Sequence, residues 1–247
     1  MLTYVLPATL PSEYKVQVFD LRTILPTNPK YTWESLKGLR DVTELTTIVL
    51  HHDAILKSAS AKMSDVEFAK SIAANHIKLT KNRPDGDAGF PYHVWIRNGT
   101  IYTCNNLEAF TFGVASNNSY TVHICVSGRY DKGYDELTDR DRTALYAAIM
   151  MVKSVLPRFA GIKGHGEIMP TACPGYDMKR VRSDITNIEL TMQHEGTPED
   201  KLADIFKTIT RLNQLYATAS KPGQYQQAAI DKLQPIVNAA RETELIK

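Results

Sequence analysis

The chain has 247 residues, enough for one large domain or a domain with a small appendage, and its 43% hydrophobic and 23% charged content is that of an ordinary globular protein. Its 29 basic and 27 acidic residues leave a formal charge of +2, without the strong basic field a nucleic-acid binder needs. No run of 18 apolar residues occurs, so no transmembrane segment is expected, and three scattered cysteines make no disulfide framework.

In chain order, Met1 to Pro7 lacks a basic stretch followed by an apolar core, so it does not read as a signal peptide and synthesis in the cytoplasm is expected. Val16 and Val18 alternate with polar residues, which suggests an extended segment, and Leu25-Pro26-Thr27-Asn28-Pro29 reads as a loop. Residues 45–52 are rich in Thr, Ile, Val and Leu and predict a buried strand ending in His51 and His52. A helix follows, with Ser64 and Glu67 spaced as a capping box and Val66, Ala69, Ile72, Ala73 and Ile77 on one face. His76 on that helix reads as solvated. After a loop over 82–89 comes a hairpin: a strand over 92–97, the turn Asn98-Gly99, and a return over 100–104. Residues 121–127 predict another strand. Thr138 and Asp141 cap a long helix with Leu145, Ile149, Val152 and Leu156 in a stripe, ended by Pro157. Residues 161–166 predict a short strand, followed by a loop to Gly175. The expected core is α/β: a central, mostly β mixed sheet flanked by helices.

Beyond about residue 190 the pattern changes. Leu202, Ile205, Ile209, Leu212 and Tyr216 form one helical stripe; Lys221-Pro222-Gly223 is a turn; and Tyr225, Ala229, Leu233, Ile236 and Ala240 form a second stripe. This predicts a C-terminal helical hairpin, giving two regions, 1–190 and 191–247.

Three residues have the chemistry of a catalytic zinc site, which takes three protein ligands and leaves one position open. They are His51 at a strand end, His165 in Lys163-Gly164-His165-Gly166-Glu167, and Cys173 in Thr171-Ala172-Cys173-Pro174-Gly175. Two of them have a plainer reading: His51 as a core histidine, Cys173 as a buried thiol. His52 should face away from His51, because successive strand residues point to opposite sides. His93 by the same rule opposes Tyr92 and is read as structural, while His123 is open between a groove role and packing. Glu167 is read as an exposed carboxylate, with support of a ligand imidazole as its other reading. Cys104 and Cys125 lie in apolar runs and are read as inert core thiols.

The segments Ile48-Val49-Leu50-His51-His52-Asp53, Phe90-Pro91-Tyr92-His93-Val94-Trp95-Ile96-Arg97-Asn98-Gly99-Thr100, Gly164-His165-Gly166-Glu167 and Thr171-Ala172-Cys173-Pro174-Gly175 occur in one order. Together, over about residues 15–185, they resemble the zinc N-acetylmuramoyl-L-alanine amidase family, which includes phage endolysins and peptidoglycan recognition proteins. The resemblance implies Zn²⁺ held by His51, His165 and Cys173. It implies that Tyr92 leans over the metal and that Thr171 is an oxyanion donor, at a place where many phage enzymes carry lysine. Some relatives have a catalytic glutamate where this chain has Cys125, so no dedicated carboxylate base is expected. It further implies cleavage of the muramic acid–L-alanine amide of peptidoglycan by an endolysin. That enzyme would be made in the host cytoplasm without a signal peptide and would act on the cell wall. The other readings are a non-catalytic peptidoglycan-binding module and a zinc hydrolase of a small amide. For the C-terminal hairpin the expected roles are wall binding, docking or homo-oligomerisation.

Overall fold

The computed structural model describes residues 4–80, 84–131 and 133–193. The expected C-terminal helical hairpin lies outside these residues.

Six strands form one mixed sheet: β1 (Val18–Asp20), β2 (Thr47–His52), β3 (Val94–Arg97), β4 (Thr100–Thr103), β5 (Thr121–Val126) and β6 (Gly161–Gly164). Their spatial order is β1-β4-β3-β5-β2-β6, and every neighbouring pair is parallel except the β3–β4 hairpin. The hairpin turn is Asn98-Gly99, with φ of 52° and 74°. Both residues are left-handed, as the tight hairpin turn requires, and these two side chains tolerate that region best. All six residues of β2 and all six of β5 are buried, which explains their continuous apolar character: central parallel strands are covered on both faces.

Among the described residues four α-helices accompany the sheet: α1 (Trp33–Lys37), α2 (Asp65–Ile77), α3 (Asp139–Lys153) and α4 (Met178–Gln193). The Ser64–Glu67 capping box forms reciprocally at the start of α2, and Thr138 caps α3 by accepting from the Asp141 N–H. On one face of the sheet, Phe68, Ala69, Ile72 and Ala73 of α2 pack with Trp95, Tyr102 and Cys125, joined by Phe90. The alternate strand residues, Ile48, Leu50, Val94, Ile96, Ile101 and Ile124, are fully buried on the other side, where α3 lies over the central strands.

Several expectations shift. The strand expected over 92–97 begins at Val94, so Tyr92 precedes it. The 16-residue α4 was not expected, and the anticipated boundary at 190 falls inside it. His76 is not simply solvated: its Nδ1 lies 2.8 Å from Oδ2 of the buried Asp87, which ties α2 to the loop after it.

Candidate metal centre

Parallel pairing of β2 with β6 brings their C-terminal ends side by side. His51 is the fifth residue of β2, and His165 follows the last residue of β6. The chain then turns through His165–Glu167 and doubles back, so that Gly166 N–H donates to the Cys173 carbonyl at 2.6 Å. That crossing needs a glycine: a Cβ at 166 would stand 2.6 Å from the Thr171 carbonyl oxygen.

These turns gather His51, His165 and Cys173, with one ligand atom from each lying within 4.8 Å of the others. His51 Nδ1 is 3.8 Å from Cys173 Sγ. Two ligands bound to one tetrahedral zinc at ~2.0 and ~2.3 Å would lie about 3.5 Å apart, so little movement separates this arrangement from a filled one. Among the described residues, the buried His165 Nε2 has no hydrogen-bond partner. A buried imidazole nitrogen left bare is costly, and the donor set of two imidazoles and one thiol is one that zinc favours. The residues therefore fit such an ion.

The electrostatics agree with that fit. Burial, then the neighbouring His123, His165 and His52 rings, holds His51 well below the usual histidine range, so it is neutral and able to offer a lone pair. Burial likewise lowers His165. Cys173 is pushed up to about 11 by burial, although the His52 N–H pointing at its sulfur opposes the rise. A thiol in that state awaits a cation, since coordination deprotonates it outright.

The other expected residues sort as follows. The Tyr92 ring packs on the His51 ring with centroids 5.2 Å apart, while its hydroxyl faces the Cys125 thiol. Thr171 is exposed, and its Oγ1 accepts from the Cys173 N–H at 3.3 Å, leaving its own proton free to donate outward. His52 points away from the cluster, its Nδ1 accepting from the Tyr130 N–H at 3.2 Å. Glu167 does not support the ligand imidazole; it pairs with Arg182 and accepts from the Gly164 N–H. Burial pushes the Cys104 and Cys125 thiols well up, which keeps them neutral in the core. Sequence reasoning missed Arg40. This buried guanidinium donates to the carbonyls of Leu107, Ala109, Asn118 and Thr121 and so fixes the loop between β4 and β5.

That loop forms one wall of a groove of about 540 Å³ lined by Lys37, Phe110, Phe112, Gly113, His165 and Met169. The groove reaches the metal centre at His165. A cavity of about 240 Å³ under Trp33, Phe90 and Asn105 contains none of the three clustered residues.

The chain is 32% identical over 93 residues to the endolysin of Enterobacteria phage K11, a match over 36% of this chain and 61% of that protein. The chain thus spans about three-fifths of that relative. Among solved structures it is similar to the endolysin amidase LysCS from Clostridium intestinale URNW (21% identity, TM-score 0.51, covering 69% of this chain and 95% of that one). It is also similar to the Ph2119 endolysin of a Thermus scotoductus MAT2119 bacteriophage (20%, TM-score 0.50, covering 68% and 99%) and to bumblebee PGRP-SA (16%, TM-score 0.53, covering 68% and 94%). At these identities the structural likenesses bear on the fold, and they match the mixed sheet flanked by helices. Residues 41–176, more than half of the chain and inclusive of all three clustered side chains, match the N-acetylmuramoyl-L-alanine amidase family, and the chain belongs to it.

Proposed function

We propose that the protein is a zinc-dependent amidase that hydrolyses the bond between the lactyl group of N-acetylmuramic acid and L-alanine in bacterial peptidoglycan, and that it serves as a phage endolysin. The observation that carries this reading is the convergence of His51, His165 and Cys173 beside a groove. Membership of the amidase family and likeness to the K11 endolysin support the substrate class.

His51, His165 and Cys173 would hold the metal. When bound, zinc supplies Lewis acidity, which polarises an amide carbonyl and lets water ionise near neutral pH. The chain's own groups do the rest. Phe110, Phe112 and Met169 give the groove apolar surface for the substrate, and Lys37 at its rim suits a carboxylate of the stem peptide. Thr171, with its hydroxyl proton free, donates to the oxygen that gains charge as the carbonyl becomes tetrahedral. Tyr92 braces the His51 ring, its hydroxyl facing the buried Cys125 thiol.

Residues 1–190 form the catalytic region in this reading. Synthesis in the host cytoplasm and action on the wall follow from the endolysin role. No described helix is long and apolar enough to cross a membrane.

The test is incubation of purified cell wall with native protein, with chelator-treated protein and with Cys173→Ser. New N-terminal alanine should come from the native protein alone. Unchanged release after complete metal removal overturns the zinc reading. Wall binding without release by the zinc-loaded protein returns the fold to a recognition role.

A further inference from the structure

The proposed ligand set leaves two imidazoles beside it without a role. His93 and His123 are both fully buried, and buried rings of this kind need defined partners. His123 lies in β5 on the same face as His51, because His51 is in register with Cys125 and alternate residues share a side.

The hydrogen bonds around His123 have a single consistent polarity. Thr121 Oγ1 lies 2.8 Å from the Asn117 carbonyl oxygen, which can only accept, so the hydroxyl proton is committed there. The same hydroxyl oxygen lies 3.3 Å from His123 Nε2. With no proton left to give, it accepts, and His123 donates from Nε2. A neutral imidazole then has its lone pair on Nδ1. His123 Nδ1 is 3.0 Å from His51 Nε2, so His51 donates from Nε2 and its own Nδ1 is bare. That bare nitrogen is the one facing Cys173 Sγ.

We propose that His123 is a positioning residue: its Nδ1 accepts from His51 Nε2–H and so holds His51 in the tautomer, and at the ring angle, that presents Nδ1 to the metal. This rests on the reading of His51 as a ligand. Two further features are built for it. Residue 113 is glycine, and a Cβ there would meet His123 Nδ1 at 2.6 Å, so the space the imidazole occupies exists because that side chain is missing. His93 stacks behind His123, with centroids 5.4 Å apart and planes 24° from parallel. His93 Nδ1 accepts from the His123 N–H, so its Nε2 carries the proton and donates to the Ala109 carbonyl. Arg40 Nη2 lies 2.9 Å from that nitrogen but has its two protons directed at the Leu107 and Ala109 carbonyls, so the second ring holds both ring and backbone of the first.

The first measurement needs no variant. Long-range ¹H–¹⁵N spectra of the metal-free full-length protein, labelled at histidine and assigned with a His51→Gln sample, report which nitrogen of His51 carries the proton; Nε2–H is expected. The second compares zinc affinity, by competition with a chromogenic chelator, in two variants. His123→Leu, which keeps bulk but removes the acceptor, should lose 10- to 100-fold in affinity, as removal of such supporting partners does. His123→Asn, whose Oδ1 can stand where Nδ1 stood, should recover most of that loss. A proton on His51 Nδ1, or a folded His123→Leu protein with native zinc affinity, overturns the inference while leaving the metal centre intact. Native protein that takes up no zinc overturns the metal centre and this inference together. If His123→Leu does not fold, the tautomer of the native protein decides.

Discussion

Replacing Arg40 with Met isolates how the groove wall is held. Arg40 is 7% exposed, and its short acceptors are carbonyl oxygens at 2.5 Å (Leu107), 2.8 Å (Ala109), 2.6 Å (Asn118) and 2.5 Å (Thr121), with the Glu108 carboxylate near enough to favour its charge. Two effects oppose each other. Burial pulls Arg40 down to about 10, well below its ordinary range, which is about 3 kcal/mol against the charged form. Against this, hydrogen bonds from a charged donor contribute about 1.5–3 kcal/mol each, so four sum to roughly 6–12 kcal/mol. The bonds win, which is why the group stays buried and charged. Methionine fills the volume but strands the acceptors. Ala109 keeps two donors, Thr111 N–H and His93 Nε2–H, so the loss falls mainly on the other three carbonyls. The expected net destabilisation is about 3–5 kcal/mol, a large share of a typical domain's stability. Urea unfolding of native and Arg40→Met protein measures it. Amide exchange should localise it, with faster exchange between residues 107 and 121 at low denaturant. A midpoint unchanged within error, or exchange that rises evenly over the chain, refutes the balance drawn here.

Two further outcomes are expected. Zinc added to chelator-treated protein at about 100 times its Kd should stabilise the fold by ~2.7 kcal/mol, a rise in Tm of roughly 5–11 °C, and Cys173→Ser should lose most of it; scanning calorimetry reads both, and an equal shift in the variant removes Cys173 from the ligand set. Asp20 concerns pH: hydrogen bonds from Arg22 hold its carboxyl below the ordinary 3.8, so its pair with Arg22 stabilises fully above that value and fades as pH falls through the lower, folded one. The difference in urea midpoint between native protein and Asp20→Asn should therefore be constant from pH 7 to about 4 and close below it; a gap persisting at pH 2 would contradict the assignment. The effect is small, because Asp20 is half exposed.

What could be read from the chain alone was local. The run 45–52, the Asn98-Gly99 turn and the Ser64–Glu67 box each carry their cause within a few residues, and each element forms there, the strand starting two residues late at Thr47. The signal for helix α4 is equally local but weak: Val181, Ile185 and Ile188 recur at spacings of four and three and are buried, but Lys179, Arg180, Arg182 and Asp184 interrupt them and mask the stripe. The three clustered ligands were legible because each sits in a short motif. Their supports were not. Arg40 finds its acceptors 67 to 81 residues away, and His123 owes its space to a glycine ten residues earlier and its polarity to a threonine bonded to Asn117. Strand alternation predicts the face on which His123 lies, but only the folded chain says which ring it meets.

The topology explains why a site should form at this edge. In a sheet with parallel neighbours, strands end together, and the loops leaving their C-terminal ends surround a common crevice. Here β5, β2 and β6 are consecutive and parallel, so the residue near the end of β2, the turn after β6 and the ring carried by β5 meet without any long excursion of the chain. The antiparallel hairpin serves a different purpose. By reversing direction beside β5 it sends the chain after β4 back along the sheet, into the loop that Arg40 pins as the wall of the groove. Rigid strands thus position the side chains that would hold the ion, while a loop fastened by one buried cation shapes the surface for the substrate. The two parts meet where Gly113 of that loop lies against His123 of β5. A substitution that enlarges residue 113 should therefore disturb the metal centre from the substrate side, through a ring that touches neither the ion nor the wall polymer.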